Sequence, residues 1–119
     1  MTKCTYKNDE LRYECDRQAY PNSPHNLCIL HEEMKNKDPE ETRQAFYKEI
    51  EDGETNFTGC KLPPIDLSHK TIKEVNFRSA KIRGDARFEG ATIGRDVWFY
   101  RAKIEGIAVF DIATIGLLN

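Results

Sequence analysis

From residue 54 onward the chain repeats one arrangement of side chains. Large apolar residues stand at Phe57, Leu62, Leu67, Ile72, Phe77, Ile82, Phe88, Ile93, Phe99, Ile104, Phe110 and Ile115. Steps of five residues run to Ile82 and then alternate between six and five. Two residues before each stands a second set: Thr55, Cys60, Ile65, Lys70, Val75, Ala80, Ala86, Ala91, Val97, Ala102, Ala108 and Ala113. Only Thr55 and Lys70 in that set are not apolar. A period of five or six matches neither a helix nor a long alternating strand. An apolar-x-apolar triplet puts both side chains on one face of a short strand, and the next two or three residues must turn a corner. Gly59, Gly84, Gly90, Gly94, Gly106 and Gly116 fall at those expected corners, where a tight backbone favours glycine. Each unit therefore reads as one side of a coil with its apolar pair inward. Such a unit buries nothing alone and must stack on its neighbours.

The stretch "FRSAKIRGDARFEGATIGRDVWF" resembles the pentapeptide-repeat family, whose units read A-(D/N)-L-x-x or, in a variant, F-x-G-A-x-F-x-G-D-A. The resemblance spans residues 55–119. It implies a mainly β fold: a right-handed quadrilateral β-helix, or pentapeptide-repeat solenoid, of about three coils over residues 54–119. With four sides per coil, one column stacks Phe57, Phe77 and Phe99, and the next Leu62, Ile82 and Ile104. The third stacks Leu67, Phe88 and Phe110, and the fourth Ile72, Ile93 and Ile115. Three sides per coil would instead put Phe57, Ile72, Phe88 and Ile104 on one face. "KLPPIDLSHKTI" (residues 61–72) replaces two corners with prolines and a Ser-His pair, so the first coil is expected to be irregular. Cys60 belongs to an inward column and reads as a buried thiol rather than a metal ligand.

Residues 1–36 are different. They are poor in aliphatic side chains and hold Cys4, Cys15, Cys28 and His31 with spacing C-x10-C-x12-C-x2-H. Three thiolates and an imidazole satisfy the tetrahedral preference of zinc with no open position, so a structural Zn2+ site is expected. "CILH" can supply two ligands from one turn, Cys4 and Cys15 the ends of a hairpin-like excursion, and "YPNSP" a turn that brings the chain back. So small a segment cannot fold on apolar burial, and a metal would supply the missing free energy. Disulfides and free buried thiols are the competing readings, disfavoured in a reducing compartment. His25 is the alternative fourth ligand; the C-x2-H spacing favours His31. The set Cys4, Tyr6, Cys15, Pro21, Cys28 and His31 resembles small Cys3His zinc modules, some of which occur in nucleic-acid-associated proteins.

Between the two lies "DPEETRQAFYKEIEDG" (residues 38–53), a helix within a connecting segment over 37–53. Asp38 is its N-cap, Pro39 its first residue, Glu41 the second half of a capping box and Gly53 its stop. Thr42, Ala45, Phe46 and Ile50 form one narrow apolar face, expected to cap the open end of the repeats.

The outer face holds the candidates for recognition. Lys61, Lys81 and Lys103 form one outward column, and Thr71, Thr92 and Thr114 another. Trp98 and Tyr100 flank inward Phe99 beside Arg95 and Arg101, an arrangement of the kind found in interaction surfaces. Residues 1–69 hold nine Lys/Arg against 14 Asp/Glu, and residues 70–119 nine against six. The net positive charge of the second part disfavours the DNA mimicry that some pentapeptide-repeat proteins achieve with an acidic rod. The acidity of the first part counts against phosphate binding by the Cys3His module. No catalytic Ser/His/Asp set, nucleophilic Cys/His pair or phosphate loop emerges from the sequence. The expectation is a non-enzymatic binding or scaffolding protein with a protein partner; nucleic-acid association through the zinc module and the basic rod is the alternative. No apolar run is long enough to span a bilayer and residues 1–16 lack a signal-like apolar stretch, so a cytoplasmic protein is expected, without a membrane partner. "IATIGLLN" ends the last coil without a polar cap. The expectations there are an abbreviated form of a longer repeat protein or an end-to-end homodimer through the C-terminal coil, with Leu117 and Leu118 at the contact.

Overall fold

The computed structural model describes the backbone of residues 2–118 and the side chains of residues 2–116. The side chains of Leu117 and Leu118, on which an apolar terminal contact was expected, lie outside the described residues. Strands β1 (Lys7–Asn8) and β2 (Tyr13–Glu14) form an antiparallel hairpin. Its turn is closed by Asn8, whose Oδ1 accepts the Leu11 amide at 3.0 Å, and by Arg12 in the left-handed region (φ 52). Flanking bonds from Cys15 N to Tyr6 O (3.0 Å) and Cys4 N to Arg17 O (2.8 Å) bring the two cysteines to the open end of the hairpin.

Helix α1 (Pro39–Glu51) begins as its residues dictate. Asp38 accepts the Glu41 amide at 2.8 Å. The expected capping box is only half formed: the Glu41 carboxylate accepts from the Tyr20 hydroxyl (2.9 Å), since the N-terminal module packs close enough to claim it. The C-terminus closes as a Schellman motif, with Glu54 N bonded to Glu49 O (2.9 Å), Gly53 N to Ile50 O (3.1 Å), and Gly53 at φ 90. Thr42 and Phe46 are fully buried. The Phe46 ring lies 4.8 Å from Phe57, edge-on, and 6.1 Å from Phe77, closing the apolar interior of the repeats with aromatic contact.

The repeat segment consists of β3 (Lys61–Leu62), β4 (Ile65–Asp66), β5 (Thr71–Ile72), β6 (Val75–Asn76), β7 (Lys81–Ile82), β8 (Ala86–Arg87), β9 (Thr92–Trp98), β10 (Lys103–Ile104), β11 (Ala108–Val109) and β12 (Thr114–Leu118). All pairing within it is parallel. Lys61 lies opposite Lys81 and Lys81 opposite Lys103. Ile65, Ala86 and Ala108 make a second column; Thr71, Thr92 and Thr114 a third. Asn56 bridges Asn76, which lies opposite Trp98, in a fourth. Among the described residues the protein is thus mainly β with one α-helix, its parallel sheets built from stacked repeats. Interior rings follow the same order: Phe57–Phe77 at 6.0 Å, Phe77–Phe99 at 5.8 Å and Phe88–Phe110 stacked at 4.9 Å. Phe57, Leu62, Leu67, Phe77 and Phe88 are completely buried, whereas Phe99, Ile104, Phe110 and Ile115 on the last level are half-buried.

Two local expectations are corrected. The first coil is regular: β3, β4 and β5 pair in register with β7, β8 and β9. Pro63 and Pro64 fall between strands, where no ladder amide is needed, and Gly84 on the next level clears the Pro64 ring, which a Cβ there would meet at 2.5 Å. The corners, secondly, are mostly not glycine. A carbonyl-to-amide bond closes each of six turns, from Phe57–Cys60 (3.1 Å) to Phe110–Ala113 (2.9 Å). Their third residues, Gly59, His69, Ser79, Gly90, Arg101 and Ile112, all take positive φ, between 52 and 72, as a type II turn requires. Gly94 and Gly116 lie inside β9 and β12 rather than at corners.

Candidate metal centre

The β1–β2 hairpin delivers Cys4 and Cys15. The following chain returns through a turn (Ser23 N to Tyr20 O, 2.9 Å) and delivers Cys28 and His31 from one helical-type turn closed by His31 N and Glu32 N on Cys28 O (3.1 and 2.9 Å). The four ligand atoms lie within 4.8 Å of one another. All four residues are buried, none more than 5% exposed. Cys28 Sγ is 3.1 Å and Cys4 Sγ 3.8 Å from His31 Nδ1, and the Cys15 and Cys28 sulfurs are 3.9 Å apart. A tetrahedral site with metal–sulfur bonds of about 2.3 Å has sulfur–sulfur edges of about 3.8 Å, so the cluster fits such an ion.

The surroundings fit as well. His31 Nε2–H donates to the Thr58 carbonyl at 2.8 Å, which leaves the Nδ1 lone pair directed at the sulfurs; a second bond of this kind fixes a ligating imidazole. The Tyr6 ring stacks on the imidazole at 4.0 Å and 4°. Amides of Cys28 and Arg17 reach Cys4 Sγ (3.1 Å) and Cys15 Sγ (3.4 Å). Without a cation the three sulfurs cannot all ionise. Hydrogen bonds from Cys28 and Cys4 hold the Cys15 thiol below the usual range, and the bond with Cys15 pushes Cys28 up. A bound cation removes that conflict by replacing the protons. The Cys3His cluster can hold a metal ion.

His25 is not part of the cluster. Its side chain is 57% exposed and lies 3.4 Å from the Glu32 carboxylate. Glu32 itself is completely buried and accepts from Ser23, Asn36 (3.0 Å) and the Glu33 amide (2.8 Å). Cys60 is buried in its column, with Sγ 3.8 Å from His31 Nε2, on the side of the ring away from Nδ1; it does not join the four.

Two residues with no motif to announce them tie this centre to the rest. Arg17 donates from Nε to both Glu49 oxygens (2.8 and 2.9 Å), from one terminal nitrogen to Tyr13 (3.1 Å), and from the other to the Asn56 carbonyl (3.0 Å). Its guanidinium also covers the Phe57 ring at 5.5 Å. Lys37 is buried, and its ammonium donates to the carbonyls of Ile29 and Lys61, both at 2.6 Å.

The surface candidates divide. Lys61, Lys81 and Lys103 stand in register on one column. Trp98 and Tyr100 lie before and at the preceding corner, Trp98 under the Arg78 guanidinium (5.7 Å), and Tyr100, 51% exposed, under that of Arg101 (5.4 Å). Arg101 also meets Glu10 of the hairpin turn (3.4 Å), while Arg95 is exposed on β9.

Stacked parallel strands joined by corners at five- and six-residue spacing define the class of the second half: a short-repeat β protein, here preceded by a buried thiol–imidazole cluster. Residues 71–114 match the family model described as pentapeptide repeats (9 copies), and this segment is a pentapeptide-repeat array. The two prolines and strands β3 and β4 lie outside the matched span although these strands share the register. No curated protein and no solved structure matches the chain.

Proposed function

We propose that the chain is a non-enzymatic binding or scaffolding protein whose repeats form a right-handed, four-sided β-helix, stapled at one end by structural zinc. The observation that carries the reading is the His31 linkage: Nδ1 faces three sulfurs while Nε2–H is bonded to Thr58 of the first level. A metal held there orders the module and fixes it onto the repeats in one step. Four buried protein ligands leave no position for a reacting water, which supports a structural over a catalytic ion. The four columns of parallel pairs support the four-sided coil, since each is revisited in the same order. Among the described residues no helix is long and apolar enough to cross a membrane. Outward columns on a rigid support suit recognition of a protein partner.

Elemental analysis of protein purified under reducing conditions and without chelator tests the metal assignment. One equivalent of zinc is expected; absence of any thiophilic metal sinks it. A nucleic-acid role, to which the lysine column lends support, predicts binding to mixed DNA or RNA with a steep salt dependence.

A further inference from the structure

Docking of the N-terminal module onto the first level leaves a trough along the seam. One end is a cavity of about 200 Å³ lined by Glu33, Met34, Lys35, Lys61, Lys81 and Arg83. It continues into a second, of about 300 Å³, over Pro39, Pro63 and Pro64, with Met34, Lys35 and Arg83 shared by both. The trough therefore has a cationic half and an apolar half.

Its charges are incompletely balanced. Lys35 lies 3.8 Å from Glu33. Glu105 lies 3.8 Å from Lys81 and 3.9 Å from Arg83, contacts too long for tight ion pairs. Lys61, in register with Lys81, adds a further cation, so four cations face two carboxylates, and the concave wall concentrates the surplus. Glu105, held between Lys81 and Arg83, shows where a carboxylate settles on this face. The walls are fixed beforehand by the Lys37 bonds described above, by Lys61 N on Leu30 O (2.7 Å), and by Arg43 Nε on the Pro64 carbonyl (3.0 Å). A preformed trough spares a ligand the cost of ordering it.

We propose that this trough binds an extended peptide of a partner protein, with adjacent acidic residues over Lys61 and Lys81 and apolar residues following over Met34, Pro39, Pro63 and Pro64. The apolar half is lined by prolines and Met34, with no aromatic ring on which a base could stack, so a peptide fits better than a nucleic acid. The proposal rests on reading the chain as a binding protein and names the surface and the chemistry it recognises.

Fluorescence anisotropy on the full, zinc-loaded chain tests it. The probe is a short labelled peptide of two glutamates followed by two leucines. Binding is expected, weakened about tenfold or more by Lys61→Glu with Lys81→Glu, and by glutamine in place of the peptide's glutamates. Glu105→Gln, which removes the competing carboxylate, tightens binding by roughly threefold. If the charge reversal unfolds the chain, the double glutamine variant replaces it and still weakens binding. Equal binding of the glutamine peptide, or tighter binding of an oligothymidylate through the same lysines, overturns the proposal. Peptide binding that survives the lysine changes but is lost in Trp98→Ala overturns the trough and leaves the binding-protein reading intact. Failure of this peptide and of a random extended-peptide library to bind overturns both.

Discussion

In the N-terminal module each contact occurs once; in the repeats each occurs on successive levels. The module and its junction with the connecting segment bring together three cysteines, one histidine, Arg17, Glu32 and Lys37, every one buried or largely so and every one with a different set of partners. The repeats bring together Phe on Phe, Ile on Ile and Thr on Thr through one parallel register. Both regions answer the same shortage, since only 39% of the chain is apolar. The repeats answer it by geometry: two inward residues per short side, summed over levels, make a continuous interior. The module, too small for that, relies on charge-assisted bonds and a ligand cluster whose strength depends on all members being present. A defect in the repeats should therefore be local and graded, and one in the module collective.

Removing a ligand is the strongest challenge to that contrast. Cys28→Ala is expected to remove most of the metal-binding free energy, of order 10 kcal/mol for structural zinc sites. Amides in residues 3–33 should then lose hydrogen-exchange protection while those of β7, β8 and the first half of β9 keep most of theirs. Equal loss in both regions would show one cooperative unit and break the comparison.

Within the repeats, Phe77→Ala should cost about 3–5 kcal/mol by denaturant unfolding. Its ring meets Phe46, Phe57, Phe88 and Phe99, yet metal stoichiometry should be unchanged. A lower metal content in this variant than in the parent chain would contradict the local character assigned to repeat defects.

Glu32 gives a pH-dependent measure of the module. Burial opposes its ionisation, but donors from Asn36, Ser23, the Glu33 amide and His25 outweigh burial and hold its pKa at about 2, below the ordinary 4.5. A depressed carboxylate pKa adds stability that is complete above the ordinary value and is lost as pH falls through the folded one. That contribution is about 3 kcal/mol at neutral pH. The stability gap between the native chain and Glu32→Gln should be constant above pH 4.5 and close between 4.5 and 2; a gap that widens with acid would refute the assignment.

The smallest effect is expected at the seam. Lys37→Met keeps the packed stem but leaves the Ile29 and Lys61 carbonyls without their donor, at a cost of about 1–3 kcal/mol. Thermal unfolding with intact metal content measures it, and an unchanged midpoint would mean that the seam is held elsewhere.

Much of this is legible in the sequence alone. The spacing of Phe57, Phe77 and Phe99 predicts their stacking, because side-chain direction in a short strand alternates by a fixed rule. The group Cys4, Cys15, Cys28 and His31 could be read as one ligand set because its chemistry admits few other uses in so small a segment. Asp38, Pro39 and Gly53 marked the helix ends, because capping is a matter of neighbours in sequence. Less legible was anything that depends on one region meeting another. Glu41 turned from its own N-cap to Tyr20, and nothing near it in sequence signals that choice. Arg17 and Lys37 look like ordinary surface residues until hairpin, helix and first level are packed together. The prolines at 63 and 64 suggested an irregular first coil, but Gly84 on the level above leaves room for the Pro64 ring.

The amino-acid sequence by itself determined the repeat, its inward faces, the candidate Cys3His set and the helix ends, since each depends on spacing along a chain whose local geometry is known. Only the tertiary structure decided which imidazole nitrogen faces the sulfurs, how the module is tied to the first level, and that a half-cationic, half-apolar trough opens between them. Those features arise from the relative placement of elements far apart in the chain, where the position of one donor or ring is fixed by packing and no local pattern encodes it.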